Sequence, residues 1–403
     1  MLPDDKVSRM VGGASPPTGN PPRRALRLRQ MWPALLCLVG LLTLSVTPTI
    51  ASGATWPPTS VVPIPSSGPA KPWWSHLPGA GGATTVPTSR ATTTPASGAT
   101  APGGLRGASF SGTYNNTGGS LVYLGYVPST YKRGTAMPLV VALHGCTQSA
   151  DGFRQLTRWD TLAEAKGFIV VFPQQSQNDN SQKCWNFFQQ NHMQRGKGEP
   201  AVIAGITKLV QQRYTVDAHR TYVNGLSAGG AMASVMAATY PEVYAAAGIG
   251  SGCEYAATAA CAGYQSADPA QAGAQAYQAM GQYARPMPVI LFEGDKDTTV
   301  PPVNAQQVVQ QWQITNDMAD GGGKDGSIPV QPTGVTQGSV PGGHAYTVTS
   351  YGDGRGNELL QSWLVSGMGH AWSGGCGCQQ YADPAGPDET GAMYAFFMAH
   401  PMP

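Results

Sequence analysis

Ser227 stands at the centre of Gly225-Leu226-Ser227-Ala228-Gly229, between the apolar run Thr221-Tyr222-Val223-Asn224 and a small-residue stretch over residues 230–238. In a chain with 52 glycines the G-x-S-x-G pattern alone means little. Its context gives it meaning, because strand, sharp turn and helix follow in the order that lifts a serine hydroxyl above a sheet. Such a turn crowds its neighbours, which calls for glycine on both sides. It also sets the serine at a helix N-terminus, where developing negative charge is favoured. The chemistry this suits is nucleophilic attack on a carbonyl.

A serine hydroxyl is a poor nucleophile until an imidazole takes its proton and a carboxylate orients that imidazole. Behind this kind of turn the partners follow in the order acid, then histidine. The acid is expected after the apolar run Val289-Ile290-Leu291-Phe292, in the loop holding Asp295 and Asp297. Either aspartate can serve. Asp297 is preferred because it sits deeper in the loop, while Asp295 can simply cap the turn. The base is expected at His370, in Gly367-Met368-Gly369-His370-Ala371-Trp372, with a strand before it and glycines around it. His344 falls too early, and His400 sits at a helix end. Two backbone N–H groups should hold the oxyanion, Ala228 directly after the serine and Cys146 in His144-Gly145-Cys146-Thr147-Gln148. His144 reads as a support for that loop. Trp372 and Trp185 read equally well as pocket walls or as core.

Positioning these groups requires a scaffold, and the apolar pattern supplies one. Residues 139–143, 168–172, 245–249 and 289–292 are short, almost wholly apolar runs. Strands of that kind are buried on both faces, as in a mostly parallel sheet covered by helices. Helix-period segments alternate with them, notably Phe153, Leu156, Trp159, Leu162 and Ala163, and later Ile203, Ile206, Leu209 and Val210. This is an α/β pattern in a single catalytic domain over residues 105–403. A hairpin is expected from residues 346–350 and 359–365, and a closing helix from 389–400 with Met393, Phe396 and Phe397 facing the sheet.

The rest of the chain is different in kind. Arg23, Arg24, Arg27 and Arg29 precede a short apolar run from Trp32 to Val46, and small residues follow to Ala54. That is the layout of an export signal over residues 1–54, too short in its apolar part for a comfortable span. Residues 55–104 are rich in Pro, Thr, Ser and Gly, with Lys71 and Arg90 as their only charges. They read as a disordered linker, in which Trp56, Trp73 and Trp74 are either sticky tether residues or an adhesive patch. Beyond Cys37 in the leader, Cys146, Cys184, Cys253, Cys261, Cys376 and Cys378 suit disulfides in an exported protein. Cys253 with Cys261 and Cys146 with Cys184 are plausible pairs; a Cys376–Cys378 bridge is so short that strain is expected. No histidine accompanies them at zinc spacing, so neither metal nor other cofactor is expected. A net charge of +2 and the lack of a basic stripe argue against nucleic acid.

These motifs together resemble the polyhydroxybutyrate (PHB) depolymerase family of esterases, a branch of the α/β-hydrolases that adjoins feruloyl and acetyl-xylan esterases. The matching stretches are residues 143–148, 184–188, 225–230, 294–302, 369–375 and 383–388. The resemblance implies an α/β-hydrolase fold, hydrolysis of hydroxyalkanoate esters without a cofactor, and a Ser227–Asp297–His370 triad. Its pattern, G-x-x-D-x-x-V, favours Asp297 over Asp295 and gives Cys146 N–H to the oxyanion hole. Polymer-degrading members carry a binding domain after the catalytic one, whereas here the linker precedes it, and Cys376-Gly377-Cys378 replaces a Gly/Ser-rich loop. Expected rivals are a carbohydrate-side-chain esterase, an acyltransferase and a non-catalytic surface-binding protein.

Overall fold

The computed structural model describes residues 106–257, 261, 268–321 and 323–403. The export-signal and linker expectations, on residues 1–104, lie outside them. The chain enters through a hairpin that the apolar runs did not announce, β1 (Ala108–Asn116) and β2 (Gly119–Val127). Then come β3 (Met137–Leu143), α1 (Ala150–Thr157), α2 (Trp159–Lys166) and β4 (Ile169–Gln174). The middle of the domain is α3 (Gly198–Arg213), β5 (Val216–Leu226), α4 (Ala228–Thr239), β6 (Ala247–Gly250) and α5 (Pro269–Met280). It closes with β7 (Val289–Gly294), α6 (Val303–Ala319), β8 (Gly334–Ser339), β9 (Ala345–Gly352), β10 (Glu358–Val365), the short pair β11 (Trp372–Ser373) and β12 (Ala382–Asp383), and α7 (Glu389–Ala399).

Among the described residues one ten-stranded sheet runs β1-β2-β4-β3-β5-β6-β7-β10-β9-β8. Its six central strands, from β4 to β10, are parallel to one another, and an antiparallel pair closes each flank. The apolar runs occupy that central block, as continuous hydrophobicity requires of strands covered on both faces. Alternation along β3 divides the core. Leu139, Val141 and Leu143 face α3, α4, α5 and α6, while Val140 and Ala142 face α1, α2 and α7. On the second face Phe397 of α7 stacks on Tyr222 of β5 at 4.8 Å, and Met393 and Phe396 are buried beside it.

One helical segment read from spacing is two helices. Arg158 adopts a left-handed conformation (φ 54°) between α1 and α2 and redirects the chain. The turn brings Trp159 against the sheet, where its indole N–H donates to Asn224 Oδ1 at 3.1 Å, and Asn224 Nδ2 donates to Val141 O. β3 and β5 are thus cross-linked just below the turn that carries Ser227.

The glycines of that turn are steric necessities. A Cβ on Gly229 would lie 2.1 Å from Leu143 O and 2.7 Å from His144 O. A Cβ on Gly225 would lie 2.4 Å from the Gly229 backbone. Neither contact can relax without separating α4 from β3. Gly229→Ala should therefore cost about 3 kcal/mol or prevent folding, whereas Gly334→Ala, with nothing within 4 Å of its Cβ, should stay within about 0.5 kcal/mol of the parent. Thermal and urea unfolding of the two variants compares them directly.

Candidate active site

Three loops at the carboxyl ends of β3, β5 and β7, with a fourth after β10, meet over the middle of the sheet. That is where open α/β sheets carry their ligands. Ser227 joins β5 to α4 with φ 58° and ψ −122°, and its N–H donates to Gly250 O at 2.8 Å. A β-carbon in this region is strained, and the hydrogen bond to β6 helps to hold it there. Ala228 follows as the first residue of α4, where a backbone N–H has no carbonyl one turn earlier to bond.

The loop after β3 is held rigid. The Gly145 N–H donates to Gln148 Oε1 (2.8 Å), Thr147 N–H to Gln182 O (2.6 Å) and Gln148 N–H to Gly145 O (3.4 Å). Between them, the Cys146 N–H has no acceptor among the described residues. Cys146 is bridged to Cys184, and the next residue, Trp185, donates its indole N–H to His144 O at 2.9 Å. His144 is itself fully buried. Its Nε2 accepts from Gln175 N–H at 3.0 Å, so the ring proton sits on Nδ1, 2.7 Å from Gly145 O. Burial pushes this imidazole down to about 4, and it supports the loop as a neutral ring.

Beyond β7, Asp297 is enclosed, with its side chain 0% exposed. Its Oδ1 accepts from Thr299 N–H (2.7 Å) and Val300 N–H (2.8 Å), and its Oδ2 lies 2.6 Å from His370 Nδ1. Asp295 turns away and accepts the Gly367 N–H at 2.7 Å, fastening the β7 loop to the loop that carries His370. His344 pairs instead with Asp383 at 3.0 Å. His400 lies at the end of α7, its ring nitrogens against the Phe396 and Glu358 carbonyls.

Ser227 and His370 line one small depression of about 10 Å³, together with Gly145, Cys146, Gln148 and Tyr381. They do not hydrogen-bond directly in this structure, which is common before substrate draws such groups together. Larger hollows lie elsewhere, one of about 730 Å³ between α6 and the β9–β10 face. Chemistry rather than volume locates the site.

Trp185 and Trp372 are not among the residues that line the Ser227–His370 depression. Both are 0% exposed, and the Trp372 indole donates to Thr390 Oγ1 behind the site. The aromatic residue that reaches the depression is Tyr381, which no motif singled out. It has φ 63°, its ring is 6.0 Å from that of His370, and its hydroxyl is buried with no hydrogen-bond partner among the described residues. Glu293 was missed as well, a fully buried acid just before the Asp297 loop. The disulfides pair as spacing suggested, Cys146–Cys184 and Cys253–Cys261, and Cys376–Cys378 is closed too.

A mostly parallel sheet with helices on both faces, and a strained serine at a strand-to-helix turn in its middle, define an α/β-hydrolase. Within that class the chain belongs to the esterase PHB depolymerase family, whose model matches residues 121–328. It is 35% identical over 260 residues to poly(3-hydroxyalkanoate) depolymerase C of Paucimonas lemoignei, covering 62% of this chain and 58% of that one. It is 34% identical over 212 residues to acetylxylan esterase A of Talaromyces purpureogenus, covering 49% and 54% respectively. Among solved structures, the acetyl xylan esterase from Aspergillus awamori aligns with a TM-score of 0.54 and 27% identity, over 65% of this chain and 94% of that one. The chain spans little more than half the length of the first curated relatives it matches. Among the described residues no helix is long and apolar enough to cross a membrane.

The depressed value at His144 sets a pH window. The unfolded ring takes up its proton near 6.5, whereas the folded ring resists until about 4. The stability it contributes is complete above 6.5 and is lost as pH falls toward 4, by about 3 kcal/mol at most. A proton NMR titration should find the His144 ring neutral at pH 5, and protonation above pH 6 would mean that the loop admits water.

Proposed function

We propose that the chain is an exported serine esterase that cleaves carboxylic esters by two-step acyl transfer. One observation carries the reading: a strained, glycine-flanked serine shares its depression with an imidazole whose far nitrogen is bonded to a buried carboxylate. His370 Nε2 takes the Ser227 proton as Oγ attacks the ester carbonyl. Asp297 holds the Nδ1–H tautomer and balances the imidazolium that forms. The unused N–H groups of Cys146 and Ala228 receive the oxyanion. His370 then protonates the departing alcohol and activates the water that releases the acyl group. These steps need only the residues named.

The ester is best read as a hydroxyalkanoate oligomer or polymer. The matching family model and the depolymerase relative favour it. Acetylated or feruloylated polysaccharide is the second reading, favoured by the acetylxylan and feruloyl esterase relatives. Export rests on the basic, apolar and small-residue order of residues 1–54 and on cysteines paired in three disulfides. Residues 55–104 are read as a linker and 105–403 as the esterase domain.

Ser227→Ala should lower kcat on short nitrophenyl esters by about 10⁴-fold or more while leaving thermal unfolding near that of the parent. Asp297→Asn should lose about 10⁴-fold through the wrong imidazole tautomer. Undiminished turnover by Ser227→Ala would end the reading of Ser227 as nucleophile, and absence of turnover by the parent protein would return the chain to a binding role. Parent protein tested on 3-hydroxybutyrate oligomers, amorphous polymer, acetyl xylan and feruloyl sugars then ranks the substrates by kcat/KM. Added alcohol acceptors reveal any transferase activity.

A further inference from the structure

Glu293 is the penultimate residue of β7 and is buried completely, 1% exposed. Its carboxyl lies within hydrogen-bond reach of the Asp297 carboxyl. Its Oε1 accepts from Gly294 N–H at 3.0 Å. No lysine or arginine pairs with it among the described residues. Two carboxyls in contact inside a dry site do not both ionise, so the question is which keeps the proton.

The donors decide it. Asp297 receives two backbone N–H groups on Oδ1 and the His370 ring N–H on Oδ2. Glu293 receives one backbone N–H. Anionic charge settles on the group with more donors, and the proton stays on the other. The neighbouring titratable groups do not change this. Glu389, at the start of α7, is also buried. Its Oε2 accepts from Ser373 N–H, and its Oε1 has no partner among the described residues. Asp295 and Lys296 are partly exposed on the rim, 3.9 Å apart.

We propose that Glu293 is a positioning residue for the esterase chemistry, a neutral carboxylic acid that donates a hydrogen bond to the Asp297 carboxylate. Burial and the Asp297 charge both push the Glu293 carboxyl well above the usual range, and burial does the same to Glu389. The bond fixes the Asp297 plane against the imidazole. It also withdraws part of the charge that His370 would otherwise feel, so the ring releases its proton, and is free to act as a base, at lower pH. The inference rests on the Ser227–His370–Asp297 reading, but its direct readouts do not require turnover.

Glu293→Gln keeps the shape and a donor, and Glu293→Met keeps neither. Three measurements are compared with the parent: the His370 ring titration by NMR, infrared absorption in the protonated-carboxyl region at pH 7, and the pH profile of kcat/KM. The expected infrared difference, parent minus Glu293→Gln, contains a protonated-carboxyl band. The ring midpoint of Glu293→Gln is expected to stay within about 0.3 units of the parent, with kcat within about threefold. In Glu293→Met the midpoint and the acid limb should rise together by about half a unit to one unit. Its kcat should fall about 10- to 100-fold at nearly constant KM. Loss of packing alone would lower stability without moving the midpoint. Absence of the infrared band overturns the proposal, as does an unmoved midpoint in folded Glu293→Met. A midpoint lowered by a unit in Glu293→Gln would also overturn it, because that is the signature of removing a charge. If Glu293→Met does not fold, the infrared band and the Glu293→Gln midpoint still decide. Failure of the Ser227 nucleophile reading is separate and appears as turnover that survives Ser227→Ala.

Discussion

The backbone at Ser227 governs this structure. A non-glycine residue with φ 58° and ψ −122° costs about 1–3 kcal/mol, and persists only where its surroundings leave no alternative. Here β5 is clamped on both sides. Its neighbour β3 passes so close that Leu143 O occupies the space of any β-carbon on Gly229, and β6 receives the Ser227 N–H through Gly250 O. Below the turn, the Trp159–Asn224–Val141 chain of hydrogen bonds locks β5 to β3 and to α2. Relaxing the serine would mean unpacking the centre of the sheet, so the strain is retained. The large buried aromatic residues beneath it hold a small hydroxyl in an unfavourable but useful direction at the floor of the depression.

Around this point charge is managed by exclusion rather than by salt bridges. Among the described residues the Asp297 carboxylate is met by the His370 ring and by backbone N–H groups instead of lysine or arginine. Fixed dipoles of this kind need no reorganisation when charge moves, which suits the imidazolium and oxyanion that the proposed reaction would create together. The neutral His144 is of a piece with this. Burial keeps a positive charge away from the loop that carries the Cys146 N–H. The loop therefore offers one unused N–H and no competing charge.

The central strands and the Ser227 turn were legible because each leaves a local mark: continuous apolar residues, or glycines at fixed offsets from a serine. The His370–Asp297 contact joins residues far apart in sequence, yet their order along the chain and glycine-rich loops pointed to them. The flanking strands were harder. β1 alternates exposed and half-buried residues and β8 is almost wholly exposed, and their Ser, Thr, Gly and Asn content reads equally well as loop. Arg158 shows a different limit, since nothing in its side chain declares a left-handed turn that cuts one helix into two. Trp185 and Trp372 were ambiguous in principle, because a tryptophan in a motif looks the same whether it faces substrate or core. Tyr381 and Glu293 escaped because their roles arise from burial and contact alone, and no spacing records those.

The disulfides connect these two levels. All three lie on segments leaving the carboxyl ends of strands, after β3, after β6 and after β11, on the side of the sheet that carries the site. A sheet with this much buried apolar surface does not need staples to fold. Its loops do, because loops have few buried contacts and open first. The Cys146–Cys184 bridge is the clearest case. It joins the loop bearing the unused N–H to the segment whose Trp185 grips the His144 carbonyl, and Asn186 in the same segment gives its N–H to buried Glu199 at 2.7 Å. By the chain-entropy argument a bridge across 38 residues removes about 3–4 kcal/mol of freedom from the unfolded chain. Its greater effect is on the folded side. On the proposed esterase reading, the N–H that would meet the oxyanion belongs to a residue held by its own covalent bond, so the geometry most sensitive to loop motion is the geometry most directly restrained.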